Sequence, residues 1–193
     1  MRRPTQTFLL ERVPTPLGEM LIATDEQGLL RALDWHDHEA RMHELMRRQY
    51  PGELPQLRNT ARRSTATQAM QAYFDGDIAV IHQLEVTTGG TAFQRQIWTA
   101  LRGIPDGETI SYGELARRIG NPAAVRAVGL ANGANPISIV LPCHRVIGSN
   151  RSLTGYGGGL ARKQWLLQHE NALRADASPT SSASAQTRPL PGF

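Results

Sequence analysis

Ser111-Tyr112-Gly113-Glu114-Leu115-Ala116-Arg117-Arg118-Ile119-Gly120-Asn121-Pro122-Ala123-Ala124-Val125-Arg126-Ala127-Val128-Gly129-Leu130-Ala131-Asn132-Gly133 is the stretch that decides how this chain folds. Ser111 and Glu114 have capping-box spacing and predict a helix running to Arg118. Gly120 closes it, Asn121 can cap the next, and Pro122 suits a first helical turn. The second helix is expected over Ala123–Asn132. Two short helices joined by a Gly-Asn-Pro turn read as a helix-turn-helix. Ala123, Ala124, Ala127, Gly129 and Ala131 make the second helix smooth. Such a surface serves tight packing between helices or close approach to a DNA backbone, and the residues alone leave both open. Arg126 is its only charged side chain.

Downstream, Ile137-Ser138-Ile139-Val140-Leu141 is mostly apolar and predicts a buried strand or extended segment. Pro142 stops it, so Cys143 is expected at a rigid turn just outside the core, followed by His144 and Arg145. Cys143 is the only cysteine in 193 residues. The thiolate is the reactive form, and a nearby base or cation lowers a cysteine's pKa from about 8.5. A lone cysteine is more often a small buried hydrophobe. The surroundings favour reactivity here. Asn135-Pro136 precedes the cysteine, and Thr154-Gly155-Tyr156-Gly157-Gly158-Gly159 follows it. Glycines let a backbone come close to a ligand. Leu160 to Leu173 predicts a last helix, apolar at Leu160, Trp165 and Leu166, with Glu170 near its end. Arg174 to Phe193 is rich in Ala, Ser, Thr and Pro and predicts a flexible tail.

Upstream, Phe8–Val13, Glu19–Thr24 and Leu29–Trp35 read as strands, the last two joined at Asp25-Glu26-Gln27-Gly28. Met42, Leu45 and Met46 recur at helical spacing, and Arg41, Arg47 and Arg48 read as a solvated basic face. Tyr50–Arg63 carries prolines, Asn and Gly and is expected to be a loop. Ala66, Met70, Tyr73 and Phe74 share a helix face that Gly76 ends. His36, His38, His43 and His82 match no strong metal-ligand spacing, so surface or packing roles are expected and no metal. Val86–Gly90 reads as a linker. Phe93, Ile97, Leu101 and Ile104 then lie on one helical face, and Pro105-Asp106-Gly107 is a turn. The expected class is α+β. A small N-terminal domain (1–85) holds an antiparallel sheet and helices. A mostly helical C-terminal domain (91–173) holds a winged-helix-like helix-turn-helix.

Composition narrows the function classes. Apolar residues make up 40% of the chain, enough for a packed core, and 21 Lys and Arg against 17 Asp and Glu leave a charge of +4. That balance suits a polyanionic partner but is weak evidence alone. One cysteine excludes an intrachain disulfide and a multi-cysteine zinc site, and a free reactive thiol belongs in a reducing cytosol. Met1–Thr7 is basic without a signal-peptide core. No apolar run approaches the ~20 residues of a membrane span.

Asn135-Pro136, Leu141-Pro142-Cys143-His144-Arg145-Val146-Ile147, Gly155-Tyr156 and Lys163-Gln164-Trp165-Leu166-Leu167-Gln168-His169-Glu170 together resemble the O6-alkylguanine-DNA alkyltransferase family, its bacterial Ogt type above all. The resemblance is strong from about Gly89 to Glu170 and weak before it. It implies repair of duplex DNA by direct damage reversal, with no cofactor. The second helix would enter the minor groove, with Ser111, Tyr112, Ala124, Val125 and Ala127 against DNA and Arg126 inserted into the base stack. O6-alkylguanine, and also O4-alkylthymine, would be flipped out. The alkyl group would pass irreversibly to Cys143, once per protein molecule. His144, held by Glu170, would activate the sulfur through a bridging water, because adjacent side chains in an extended chain diverge. Tyr112 would protonate the departing base. Asn135 would fasten the second helix to the active-site turn. Pro142, Arg145, Val146, Tyr156, Gly157, Gly158 and Lys163 would shape the pocket. The protein would be a cytoplasmic, nucleoid-associated monomer, with cooperative clustering on DNA left open. Some family members hold a structural zinc through N-terminal cysteines that this chain lacks.

Two positions depart from the family pattern. Val125 stands where alanine is common. Gly157 stands where some relatives have serine; the pocket is then expected to be roomier and to favour larger alkyl groups. Three rival readings meet objections. A non-catalytic lesion sensor would lack Cys143. A cysteine hydrolase leaves the helix-turn-helix without a purpose. A transcription factor would need base-reading side chains that Ala123–Asn132 does not offer.

Overall fold

The structure is a computed structural model that describes residues 5–52 and 54–173; the tail expected from Arg174 onward lies outside the described residues. Strands β1 (Thr5–Thr15), β2 (Gly18–Thr24), β3 (Leu30–Trp35) and β4 (Leu54–Asn59) form one sheet in the order β3-β2-β1-β4. Pairs β1/β2 and β2/β3 are antiparallel, but β4 lies parallel to β1, so the sheet is mixed. This corrects two expectations: an all-antiparallel sheet, and a loop over Tyr50–Arg63. Pro55 argues against a strand in the sequence, yet proline is tolerated on an edge strand, and β4 is an edge.

Both faces of the central strand are covered. Met20 and Ile22 point into the main core with Leu33 and Trp35, while Leu21 and Ala23 point to a second cluster with Phe8, Leu10, Met42 and Met46. Alternate side chains leave opposite faces of a strand, so a strand buried on both sides reads as an unbroken apolar run. Helix α1 (Glu39–Gln49) covers the second face with Met42 and Met46. Helix α2 (Thr65–Phe74) lies on the main-core side. Ser64 caps α2, and the buried Glu11 carboxylate accepts from the backbone of Ser64 and the hydroxyl of Thr67, which ties the helix to β1.

The second half begins with α3 (Ala92–Arg102), started by a complete Thr91/Gln94 capping box. Helix α4 (Tyr112–Arg118) follows the two-residue strand β5 (Ile110–Ser111), with Ser111 as its cap. Pro122–Ala124 forms a 3-10 turn leading into α5 (Val125–Gly133), so the second helix of the motif starts later than expected, and the Asn121 side chain makes no cap. Cys143–Arg145 is another 3-10 turn, running into β6 (Val146–Ile147), which pairs parallel to β5. Helix α6 (Leu160–His169) closes the described chain.

The main core is continuous across the expected 86–90 linker. It holds Met20, Leu33, Trp35 and Tyr73 from the first half and Ile97, Leu101, Leu115, Val128, Cys143 and Leu166 from the second. Backbone hydrogen bonds cross as well. Leu30 bonds Glu85 and Thr87, and Leu33 donates to Pro136 and accepts from Ser138. The edge of β3 is thereby completed by the segment that leads to the cysteine.

Candidate active site

Residues 135–142 set the position of the sulfur. The Asn135 side chain accepts from Ile137 N at 2.9 Å and donates to Leu141 O at 2.7 Å, closing a tight loop from within. Side-chain bonds of this kind compete with regular strand. Only Ile137 pairs with β3, and Ile139 is turned to φ 70°, an uncommon conformation for a β-branched residue. The expected strand over Ile137–Leu141 is therefore a turn. Cys143 is 5% exposed and packs within the core rather than just outside it.

Burial pushes the Cys143 thiol upward, and the pull of Asn135, Arg41 and Lys163 does not overcome it. The resting sulfur is thus a thiol, contrary to the expectation of a cysteine ionised by its surroundings. A base has to act during the reaction. The 3-10 turn sends the side chains of Cys143 and His144 about 120° apart, so the divergence expected of neighbours holds in a tighter backbone.

His144 is fully buried, and its Nε2 lies 3.0 Å from Glu170 Oε1. Glu170 also accepts from Tyr73 Oη at 2.8 Å, from Arg145 Nε at 2.7 Å and from Arg145 Nη2 at 2.9 Å. Burial alone would raise this carboxyl, but the facing His144 and Arg145 hold it well below its ordinary 4.5. It is a carboxylate and can only accept. The proton between the two therefore sits on Nε2, and in a neutral imidazole that leaves Nδ1 with a lone pair. Nδ1 is buried and has no protein partner among the described residues. It is the ring nitrogen left open to exchange a proton with the site.

Arg145 joins this network to the neighbouring loops. Besides Glu170, it donates to Ile104 O and to Asp106 Oδ1, each at 2.7 Å. On the other side, buried Lys163 donates to Val146 O and Thr154 O, both at 2.6 Å, and burial pushes its ammonium down to about 8. Tyr112 Oη donates to Thr154 O at 3.3 Å. The Tyr156 ring meets His144 edge-on at 6.4 Å, and its buried hydroxyl has no partner by geometry among the described residues. Gly158 lies against the Trp35 indole, and its carbonyl accepts from Arg162, which stacks on that indole.

The smooth helix has one packed face and one open face. Val128 and Ala131 are buried, while Ala123, Val125, Arg126, Ala127 and Leu130 are exposed. Gly129 faces Tyr112, and Asn132 at the buried end of α5 donates to Cys143 O at 3.5 Å. The exposed face and the cysteine turn thus belong to one continuous structure. Ser111 sits at the α4 cap, Ala124 is half-buried in the turn before α5, and Pro142 precedes the cysteine turn.

Sequence reasoning missed Asp34, Arg41, Tyr73 and Asp106. Arg41 is not part of a solvated face: it is paired at 3.0 Å with Asp34, whose side chain is 2% exposed. A clue was available, because an aspartate between Leu33 and Trp35 interrupts an otherwise buried strand. The four histidines considered for metal lie at or near the surface, with Asp or Glu beside each. An open groove of about 800 Å³ between the sheet and α2, lined by Glu11, Asp25, Arg62 and Gln68 among others, does not reach Cys143 or α5.

Residues 92–172 match the family model described as 6-O-methylguanine DNA methyltransferase, DNA binding domain. The methylated-DNA–protein-cysteine methyltransferase of Salmonella typhimurium is 50% identical over 166 residues, 86% of this chain and 97% of that protein. The Shigella flexneri protein of the same name is 47% identical over the same shares of the two chains. Among solved structures, Mycobacterium tuberculosis OGT in complex with DNA superposes with a TM-score of 0.66 at 38% identity, covering 86% of this chain and 93% of that one. A cysteine beside a buried histidine and carboxylate, joined to a helix-turn-helix in this α+β fold, defines a DNA-repair methyltransferase that acts by direct reversal. The chain belongs to the methylated-DNA–protein-cysteine methyltransferases of the Ogt type.

Proposed function

We propose that this protein binds duplex DNA through the minor groove and rotates an O6-alkylguanine, or an O4-alkylthymine, into the space beside Cys143. There it keeps the alkyl group. The exposed small residues of α5 bring its backbone near the groove floor, and Arg126 fills the stack in place of the everted base.

The chemistry follows from the protonation states. Nδ1 of His144 draws the thiol proton through one bridging water as the sulfur attacks the alkyl carbon. The S–C bond forms while the C–O6 bond breaks. The departing guanine takes a proton from the Tyr112 hydroxyl, and solvent returns the proton gained by His144 to the tyrosinate. Glu170, fixed by Tyr73 and Arg145, stabilises the imidazolium that forms. Asn135 and Lys163 hold the turns on either side. The product is a thioether with no leaving group better than the thiolate, so each molecule acts once. The protein works as a cytoplasmic monomer without a cofactor. No described helix is long and apolar enough to cross a membrane.

The observation that carries this reading is Nδ1 of His144, the residue next to the family cysteine, which is buried without a protein partner among the described residues while Nε2 is committed to a carboxylate. Incubation with a duplex carrying labelled O6-methylguanine should place one label on Cys143 and none on Cys143→Ala. Intact-mass and peptide mass spectrometry locate it. Label elsewhere, or more than one equivalent of guanine released per protein, would contradict the assignment.

A further inference from the structure

We propose that Arg41 is a positioning residue that sets the width of the pocket beside Cys143, and that residue 157 is glycine to admit this arginine rather than a larger alkyl group. The proposal rests on the reading of Tyr156–Gly158 as the pocket wall.

The φ of Gly157 lies outside the left-handed region, so a side chain there would meet no conformational penalty. The obstacle is the end of the Arg41 side chain, which would have to move aside. A Cβ on Gly157 would fall on the guanidinium carbon and both terminal nitrogens of Arg41. The room expected from the missing serine is already occupied.

Arg41 is held there from two directions. Its Nη2 pairs with Asp34 Oδ2 at 3.0 Å, and its Nη1 donates to Gly133 O at 3.3 Å. Asp34 belongs to β3, Gly133 ends α5 and Gly157 is in the wall loop. One guanidinium therefore touches the sheet, the DNA-facing helix and the wall. Arginine suits this task because its donors are fixed in a planar fork. Arg41 is also the only cation within ion-pair distance of Asp34 among the described residues. Displacing it strands a buried carboxylate. Burial already raises that carboxyl, with Arg41 the chief opposing influence.

Single-turnover rates on saturating duplexes carrying O6-methylguanine or O6-butylguanine test the proposal. The variants are Gly157→Ser, the pair Arg41→Met with Asp34→Asn, which removes the cation without stranding the carboxylate, and the triple combination. Removing Arg41 should raise the butyl-to-methyl rate ratio by about tenfold. Gly157→Ser should slow methyl transfer in wild type and have little further effect once Arg41 is gone, since the group that the serine displaces is then already absent. An unchanged ratio in the folded pair, or an equal effect of Gly157→Ser in both backgrounds, would overturn the proposal. Should the pair not fold, Arg41→Lys keeps the charge but loses the fork, and an unchanged ratio there would overturn it equally. Failure of wild type to carry label on Cys143 from either duplex would instead remove the pocket reading itself.

Discussion

Nδ1 of His144 is one lone pair, and its availability depends on where a proton sits one atom pair away. Glu170 decides that position only while it is ionised. Its pKa lies well below 4.5 in the folded protein and near that value when the chain unfolds. The sign follows. A depressed carboxyl contributes stability above the unfolded pKa, and the contribution fades as pH falls through the folded value. Glu170→Gln should therefore be least stable relative to wild type above about pH 5, with the gap narrowing toward about pH 2. Denaturant midpoints measured across that range check it, and a constant gap would show that the carboxylate is not the stabilised form. The same substitution replaces an acceptor with an amide that can donate to Nε2, favouring the opposite tautomer. Single-turnover repair should fall about 10- to 100-fold, the usual effect of losing a group that orients a functional histidine. The sequence placed Cys143, His144 and Glu170 together through family likeness. It could not show the protonation of the sulfur, which depends on burial at 5% exposure and on charges from distant segments. Tyr73 was legible only as a core residue, because its ring packs in the core while its hydroxyl alone reaches Glu170.

Helix α5 illustrates what sequence periodicity can and cannot resolve. Its small residues were visible at once, but each suits both packing and groove contact. Contacts separate them: Val128 and Ala131 pack inward, and the face carrying Arg126, Ala127 and Leu130 is left open. Leu130 is 70% exposed, beside the only charge on the helix. The turn before Cys143 was misread for a related reason. Ile137–Leu141 has the composition of a strand, yet Asn135 takes both of its critical backbone groups. β4 was hidden by Pro55, whose place on a sheet edge only the tertiary arrangement reveals. If α5 is the groove helix, Arg126 contributes to capturing DNA and everting the base but not to the bond exchange. Arg126→Ala should slow repair of an O6-methylguanine duplex about tenfold more than it slows transfer from the free alkylated nucleoside. Equal losses on the two substrates would place Arg126 outside the DNA contact.

At the scale of the whole molecule, the expected division at residues 86–90 meets a core that does not divide. Trp35 and Tyr73 share one buried cluster with Trp98, Val128 and Leu166. The β3 edge is completed by backbone bonds to Pro136 and Ser138, so the turn that aims the cysteine is itself an extension of the N-terminal sheet. Arg162 adds a third tie, bonding Leu17 O and Gly158 O while stacking on Trp35. Two halves joined only by a linker would unfold separately. Halves that share a core lose buried apolar area together, at roughly 25 cal/mol per Å², and should unfold as one unit. The tryptophans make this measurable, because Trp35 reports from the sheet and Trp98 from α3. In variants that keep one of them as the sole tryptophan, with the others replaced by Phe, urea transitions should share a midpoint and slope once each variant is compared with its own circular-dichroism curve. Separate transitions would mean that the N-terminal half only leans against the site. Coincident ones would mean that it holds the cysteine turn in place, and that a destabilising change as distant as Met20→Ala should lower the amount of repair-competent protein at 37 °C in proportion to the lost stability.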